Sequence, residues 1–570
     1  MRTSNGRAWT PVIVMTARLV MRASALAAPI VLVVTSSVAA QEPNLANKVF
    51  FSGPQNLTHD ARNTQPTSVR VATEANGDID VVWGDDSCQE TFPYSCTWHL
   101  FFSRSVDGGA TFSAPMDIAH RAAGQALYAP QIAVDRKGNI NVVWEDTAAG
   151  GWEIFYSRSV DGGATFSSPK VISNDAGDAV DPQLDVDRQD NISVVWQTQD
   201  QVSFNWNVWF TRSLDRGVTF AAPNALCDTT ETCTWPKVAV EPAGSVNVVW
   251  AQAPCVDCAS DVFFSRAGDI GAGLSTPQNL SNSVEPLVTT PELVVDSRGN
   301  IHVVWSKGYY SSGPVNVFLS RSRDHGTTFV SRSLTASQGR AYFPELGVDA
   351  AGNINVFWVD DILGGIFFSR SVDGGKNYSA PKKVAPLPGS YSAVYPYIAV
   401  ESQGSLNLVW EDGATGSIRF TRSTDGGSVF SSPEDLAHSS AAFFPQIVAD
   451  ASGNLNVLWF DQVNDSLDIL FDRGVTVNSL RSDIASLPDS ALKMKSLRTT
   501  MLNVIDDVEY SLTKGDTATA IADLEGLRRR LDGCGVVAGS NDWIIDCTAQ
   551  LKIRRSIDIM LARLRGGSFS

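Results

Sequence analysis

The sequence predicts an all-β propeller of eight four-stranded blades, closed by an N-terminal strand and followed by a small all-α C-terminal domain.

 Three observations lead there. A phrase ending in tryptophan recurs eight times, at Trp83, Trp144, Trp196, Trp250, Trp305, Trp358, Trp410 and Trp459, with 49 to 61 residues between successive copies. Each period holds four short β-branched or aromatic runs bounded by turn residues, with no helical spacing between them. The segment Val49-Phe-Phe-Ser-Gly-Pro-Gln-Asn-Leu57 matches the outer run Ala110-Thr-Phe-Ser-Ala-Pro-Met-Asp-Ile118, yet stands before the first repeat.

From the N-terminus, Met1 to Arg22 carries four arginines and no acid, and leads into the apolar run Ala25–Val34. That layout predicts a signal peptide over 1–40, with the small residues Ser36-Ser-Val-Ala-Ala40 where a peptidase cuts. The run is shorter than the roughly 20 apolar residues a spanning helix needs, and no second one follows. The mature chain is therefore expected to have no transmembrane segment and to be periplasmic, cell-surface or secreted. Eight cysteines follow in four close pairs: Cys88 with Cys96, Cys227 with Cys233, Cys255 with Cys258, and Cys534 with Cys547. An even count in an exported chain predicts local disulfides. A redox or metal role for Cys255 and Cys258 would want a second such pair or a flanking βαβ pattern, and neither is present.

The propeller is expected over 46–475. In each period Pro-x-apolar-x-Val-Asp gives an inner strand and a glycine turn, as in Gly138-Asn-Ile-Asn-Val-Val-Trp144. The near-continuous Val-Val-Trp run suits a strand covered on both faces by neighbouring blades. A segment like Ile154-Phe-Tyr-Ser-Arg-Ser159 follows, then a short outer strand. The eighth repeat lacks that outer strand, so the N-terminal segment is expected to supply it and remove an open edge. Beyond Asn478, Leu497, Met501, Val504, Ile505, Val508 and Leu512 form one helical stripe. Three helices are expected over 482–566, the second across Thr517 to Leu531 and the third from about Asn541 to Leu564.

Acidic residues number 61 against 44 basic, a formal charge of −17, and no basic block interrupts the propeller. That argues against a nucleic-acid partner.

Six repeats carry Ser-x-Asp-x-Gly-x-x-aromatic, with the aspartate at Asp107, Asp161, Asp215, Asp324, Asp373 and Asp425. The carboxylate can accept amide hydrogens across a tight turn, and the glycine can take positive φ. Repeated at blade spacing, this pattern resembles the Asp box, or BNR repeat, of the sialidase-like β-propellers. The resemblance covers about 46–475 and implies that the motif lies between the third and fourth strands, away from a substrate face. The tail resembles the small helical module called FIMAH, which implies attachment or assembly by association only.

Fold resemblance does not carry activity with it. A sialidase uses an arginine triad on the substrate carboxylate, a tyrosine nucleophile with a glutamate, and an acidic proton donor. The first family arginine stands two residues before the proline opening a blade. Here those residues are Thr64, Tyr128, Val180, Thr234, Thr289, Tyr342, Val394 and Phe443. Arginines do recur in the third run, at Arg104, Arg158, Arg212, Arg266, Arg321, Arg370 and Arg422. A residue repeated in nearly every blade points to a structural task. No HExxH, Walker-type loop or GxSxG elbow occurs, so no catalytic residue, metal ligand or cofactor is assigned.

The candidate binding face is the one formed by loops after the tryptophan strands. Five repeats place an aspartate two residues on, at Asp85, Asp146, Asp360, Asp412 and Asp461; the others have Thr198, Gln252 and Lys307. Trp152, Trp206 and Tyr309 lie in the longer loops, with Trp98, Tyr128, Trp235, Tyr342 and Tyr395 nearby in sequence. Flat aromatics beside acids suit sugar rings or peptide side chains. The expectation is a non-catalytic binder of a glycan or protein ligand, with a sialidase-type glycosidase as the alternative.

Overall fold

The Val-Val-Trp runs become the second strand of every blade, and their eight tryptophans are at most 2% exposed. In the computed structural model, residues 44–567 are described except 59–63, 89–95, 121–125, 174–176, 201–202, 228–229, 255–257, 269–272, 283–289, 310–312, 336–338, 388–394, 438, 440, 464–465 and 532–540. The proposed signal peptide thus lies outside the described residues. Eight antiparallel sheets each run first, second, third and fourth strand in spatial order. Blade 2, for example, consists of Leu127–Val134, Ile140–Asp146, Glu153–Ser159 and Lys170–Val171. Each first strand touches those of both neighbouring blades, and that of blade 8 touches that of blade 1. The ring is closed around a central channel lined by first strands.

Closure follows the sequence expectation. In blade 8 the outer position is filled by Phe50–Phe51 and Gln55–Asn56, both paired with the third strand Ser466–Val475. Phe50 stands opposite Val475 and Gln55 opposite Phe471. Asp472 fastens the join, accepting from Ser52 Oγ at 2.7 Å and the Gly53 amide at 2.9 Å.

Blades pack through a recurring contact that the turn glycines make possible. Gly163 has φ +80°, and a Cβ there would lie 2.3 Å from the ring of Phe102 in the preceding blade. The same glycine position meets Tyr156 at Gly217 and Phe368 at Gly427. Glycine is therefore required by the close approach of an aromatic as well as by its backbone angle.

The C-terminal region holds four helices, where three were expected: α1 (Val477–Ser486), α2 (Ser496–Thr513), α3 (Thr517–Arg528) and α4 (Cys547–Leu564). The additional helix, α1, follows blade 8 directly, one residue after its last strand ends at Val475. A reciprocal cap between Thr476 and Ser479 starts it. The last helix begins later than Asn541 because Ile544 first pairs with Leu492 as a bridge, and Asp546 then caps the Ala549 amide. Phe50 and Val475 from the closing blade share one buried cluster with Leu480, Met501, Ile505, Ile557 and Met560. The helices therefore cover the closure seam.

Cys227 and Cys233 are bonded, with Cα atoms 6.5 Å apart. Cys88 and Cys96 face each other in register, and Cys258 and Cys547 are each disulfide-bonded. Cys255 and Cys534 lie outside the described residues. Among the described residues no helix is long and apolar enough to cross a membrane.

Candidate binding site at the channel mouth

Antiparallel connectivity sorts the loops onto two faces. Turns joining first to second and third to fourth strands share one face; loops joining second to third strands, and blade to blade, share the other. The helices sit on the first. Lys552 Nζ donates to Asn76 O and Asp78 Oδ1, both at 2.6 Å, in the first turn of blade 1. Asp483 of α1 accepts from Asn454 Nδ2 in the equivalent turn of blade 8.

The six Ser-x-Asp turns occupy this helix-bearing face. In blade 2, Asp161 Oδ1 accepts from Ser159 Oγ and the Thr165 amide, and Oδ2 from Thr165 Oγ1. Asp107, Asp215 and Asp324 repeat that set with Thr111, Thr219 and Thr328; Asp373 uses Asn377, and Asp425 the Val429 amide. Donation from the Thr165 hydroxyl, then from its amide, holds the Asp161 carboxyl down at about 2. Six of the seven recurrent arginines, all but Arg321, are committed to acids here too. Arg158 pairs with Asp135, Arg212 with Asp187, Arg266 with Glu241, and Arg370 with Asp349, each acid standing in a first turn.

On the opposite face, the five aspartates after the tryptophans are 0–4% exposed. Their carboxylates turn inward. Asp146 accepts from the Trp144 indole at 3.0 Å and the Ala148 amide at 2.8 Å. Asp461 takes the Trp459 indole, Asp360 the Leu363 amide, and Asp412 the Ala414 amide. Asp85 is buried likewise. Tyr309 is exposed, while Trp152 and Trp206 are half-buried.

A group of which sequence inspection picked out only Trp235 stands at the channel mouth. Each first strand carries, or directly follows, a buried proline, and in five blades the residue before it and the proline itself form a bulge. The residue before that proline has positive φ: Ala129 (49°), Asp181 (54°), Trp235 (56°), Phe343 (48°) and Phe444 (50°). This conformation is uncommon for non-glycine residues and costs on the order of 1–3 kcal/mol each. It lifts their side chains out of the sheet; Trp235, Phe343 and Phe444 are 39%, 40% and 46% exposed. The preceding blade helps hold the bulge. Glu145 accepts from the Asp181 amide at 2.6 Å, Gln197 from the Trp235 amide at 3.0 Å, and Glu411 from the Phe444 amide. Burial pushes the Glu145 carboxyl up to about 7.

Across blades 6, 7 and 8 these residues make an arc. Tyr395 lies between Phe343 (ring centroids 5.2 Å) and Phe444 (5.4 Å). A second aromatic row spans blades 1 and 2, where Trp98, Tyr128 and Trp152 are spaced at 4.5 and 5.7 Å. The structure thus joins three expected aromatics in one row, sets Tyr395 in the other, and leaves Tyr309 apart on a loop and Trp206 apart at the start of the strand Trp206–Ser213, where a loop position was expected. Phe343 and Phe444 were discoverable as aromatics directly preceding a blade's first proline.

No protein-family profile matches the sequence, and no curated protein matches it. Solved structures do, at the level of fold. The Hadza microbial sialidase Hz136 is 14% identical over 76% of this chain and 98% of its own, with a TM-score of 0.34. A PL25 ulvan lyase is 13% identical over 76% and 95%, with a TM-score of 0.40. A protein of unknown function from Dyadobacter fermentans is 15% identical over 63% and 97%, with a TM-score of 0.37. The class defined by fold and site is an eight-bladed β-propeller with a strained aromatic channel mouth.

Proposed function

We propose that the chain is an exported propeller that binds a glycan, without transforming it, at the mouth of its channel. The observation that carries this reading is the arc Phe343–Tyr395–Phe444, whose two outer rings are exposed on backbone whose conformation is costly to hold. Sugar rings present apolar C–H faces that stack on such rings, and flanking polar groups then set orientation. The Trp98–Tyr128–Trp152 row offers a second stacking surface, with Trp206 and Tyr309 further out. Asp85, Asp146, Asp360, Asp412 and Asp461 serve this face by fixing its loops. A non-catalytic role is favoured over hydrolysis because the recurrent arginines lie on the opposite face, six of the seven paired with acids there, so that no three converge at the mouth. The leader and the disulfide support export.

The test is binding of the purified mature chain to an oligosaccharide panel, together with hydrolysis of a fluorogenic sialoside. Binding that disappears in Phe343→Ala/Phe444→Ala, with no sialoside turnover, is the expected result. Turnover that a mouth substitution abolishes would overturn the non-catalytic reading. A parallel Asp146→Ala/Trp152→Ala variant reports whether the blade 2 loop takes part.

A further inference from the structure

Directly below the arc, one position of the first strand breaks the repeat in every way a repeat can be broken. It lies opposite the residue before each blade's buried tryptophan, and is occupied in turn by Arg70, Gln131, Gln183, Lys237, Glu292, Glu345, Tyr397 and Gln446. Its facing partners hardly vary, being Val82, Val143, Val195, Val249, Val304, Phe357, Val409 and Leu458. Packing therefore imposes one shape on the scaffold, while the channel side carries two cations, two acids, a phenol and three amides. All eight are half-buried.

The charges are unequally satisfied. Lys237 Nζ and Glu292 Oε1 pair at 2.9 Å. Arg70 donates through Nε to Gln131 at 3.4 Å and through Nη1 to the Val69 carbonyl at 2.8 Å, but meets no carboxylate among the described residues. Glu345 accepts no hydrogen bond and joins no ion pair among the described residues. Its neighbours are Glu292 and Tyr397 on the adjoining blades and Lys237 one blade further round, and Tyr397 in turn feels Arg70. Burial, then the Glu292 charge, pushes the Glu345 carboxyl up against the opposing pull of Lys237. An unmatched guanidinium and an unmatched carboxyl thus share one level of a confined channel beneath an aromatic rim. A partly desolvated ionisable group without a partner is costly to charge, and a ligand that supplies the opposite charge offsets that cost and favours the ionised form.

We infer that the part of the ligand entering the channel is a sugar bearing both a carboxylate, placed against Arg70, and a primary ammonium, placed against Glu345. This rests on the reading of the mouth as a glycan site. Tyr397 lies two residues after Tyr395, and Glu345 two after Phe343, so the strands that present the stacking rings also present the polar level. Ring and substituents are read by successive levels of the same blades.

Four pyranoses test it by titration in ligand-observed NMR: muramic acid (both charges), glucosamine (ammonium only), glucuronic acid (carboxylate only) and glucose (neither). Muramic acid is expected to bind most tightly and glucose least, with about tenfold in affinity for each charge. Arg70→Gln should remove the advantage of the two carboxylate sugars and leave glucosamine and glucose unchanged. Glu345→Gln should do the same for the two ammonium sugars. If all four bind the parent chain alike, and Phe343→Ala/Phe444→Ala abolishes that binding, the inference is overturned while the mouth reading stands. A gain from one charge alone overturns the two-charge inference as well. If neither these sugars nor neutral oligosaccharides bind, the mouth reading itself fails and takes the inference with it.

Discussion

On the helix-bearing face, blade after blade repeats one set of contacts: an aspartate closing a turn, a glycine beneath an aromatic, an arginine on a turn acid. At the channel mouth six of the same eight blades present Ala129, Asp181, Trp235, Phe343, Tyr395 and Phe444 at one position, and all eight carry charged, amide or phenolic groups one level below. The first face keeps its residues because each copy solves the same packing problem. The second is free of that problem, since its side chains leave the sheet, so its differences are available for recognition. In a repeat protein, a kept residue marks the scaffold and a broken register marks the site.

That contrast can be tested at both ends. Gly163→Ala should be the most damaging change, about 3 kcal/mol or more, since the added Cβ would meet the Phe102 ring at 2.3 Å on a backbone at φ +80°. Thermal or urea unfolding reads it. Arg158→Ala should cost about 3 kcal/mol by leaving the buried Asp135 without its cation, and should leave ligand binding intact. A loss of binding with unchanged stability would reverse the assignment of faces.

Glu145→Gln should alter the pH dependence of stability. With its folded pKa near 7, above the usual carboxylate value of 4.5, Glu145 keeps its proton longer in the folded chain than in the unfolded one. Its contribution is therefore full below about pH 4.5 and lost as pH rises through about 7. The glutamine still accepts from the Asp181 amide and does not ionise, so the variant should gain about 2 kcal/mol over the parent at alkaline pH and little in acid. Urea titrations at both ends of that window compare them. The smallest stability effect belongs to Phe343→Gly, which relieves a positive φ and should leave stability unchanged or raised by about 1 kcal/mol while weakening glycan binding.

The architecture was legible because the tryptophan strand is buried on both faces and each copy must keep it. Closure was legible for a related reason, as Val49–Leu57 is an outer strand without a blade of its own. The mouth was harder to see. Scanning two residues before each proline examined Tyr342 and Phe443, whereas the bulge exposes Phe343 and Phe444; a period of two cannot anticipate a residue inserted into it. The aspartates after the tryptophans misled for a geometric reason. Residues i and i+2 of a strand share a face, so Asp146 reaches the indole of Trp144 and has no need of a ligand. The first helix escaped notice because its cap uses Ser479 where glutamate or glutamine would have announced it.

The join between the two ends of the chain sets a timetable. Ser52 bonds to Asp472, 420 residues later, and Arg563 of α4 donates to the carbonyl of Phe51. The segment synthesised first is thus among the last to find its partners, and seven blades must stand as an open row until the eighth arrives. Contacts so distant in sequence are slow to form, and exposed strand edges invite association in the meantime. Under the export proposed above, assembly must wait for translocation to end, and helices made last hold in place the strand made first.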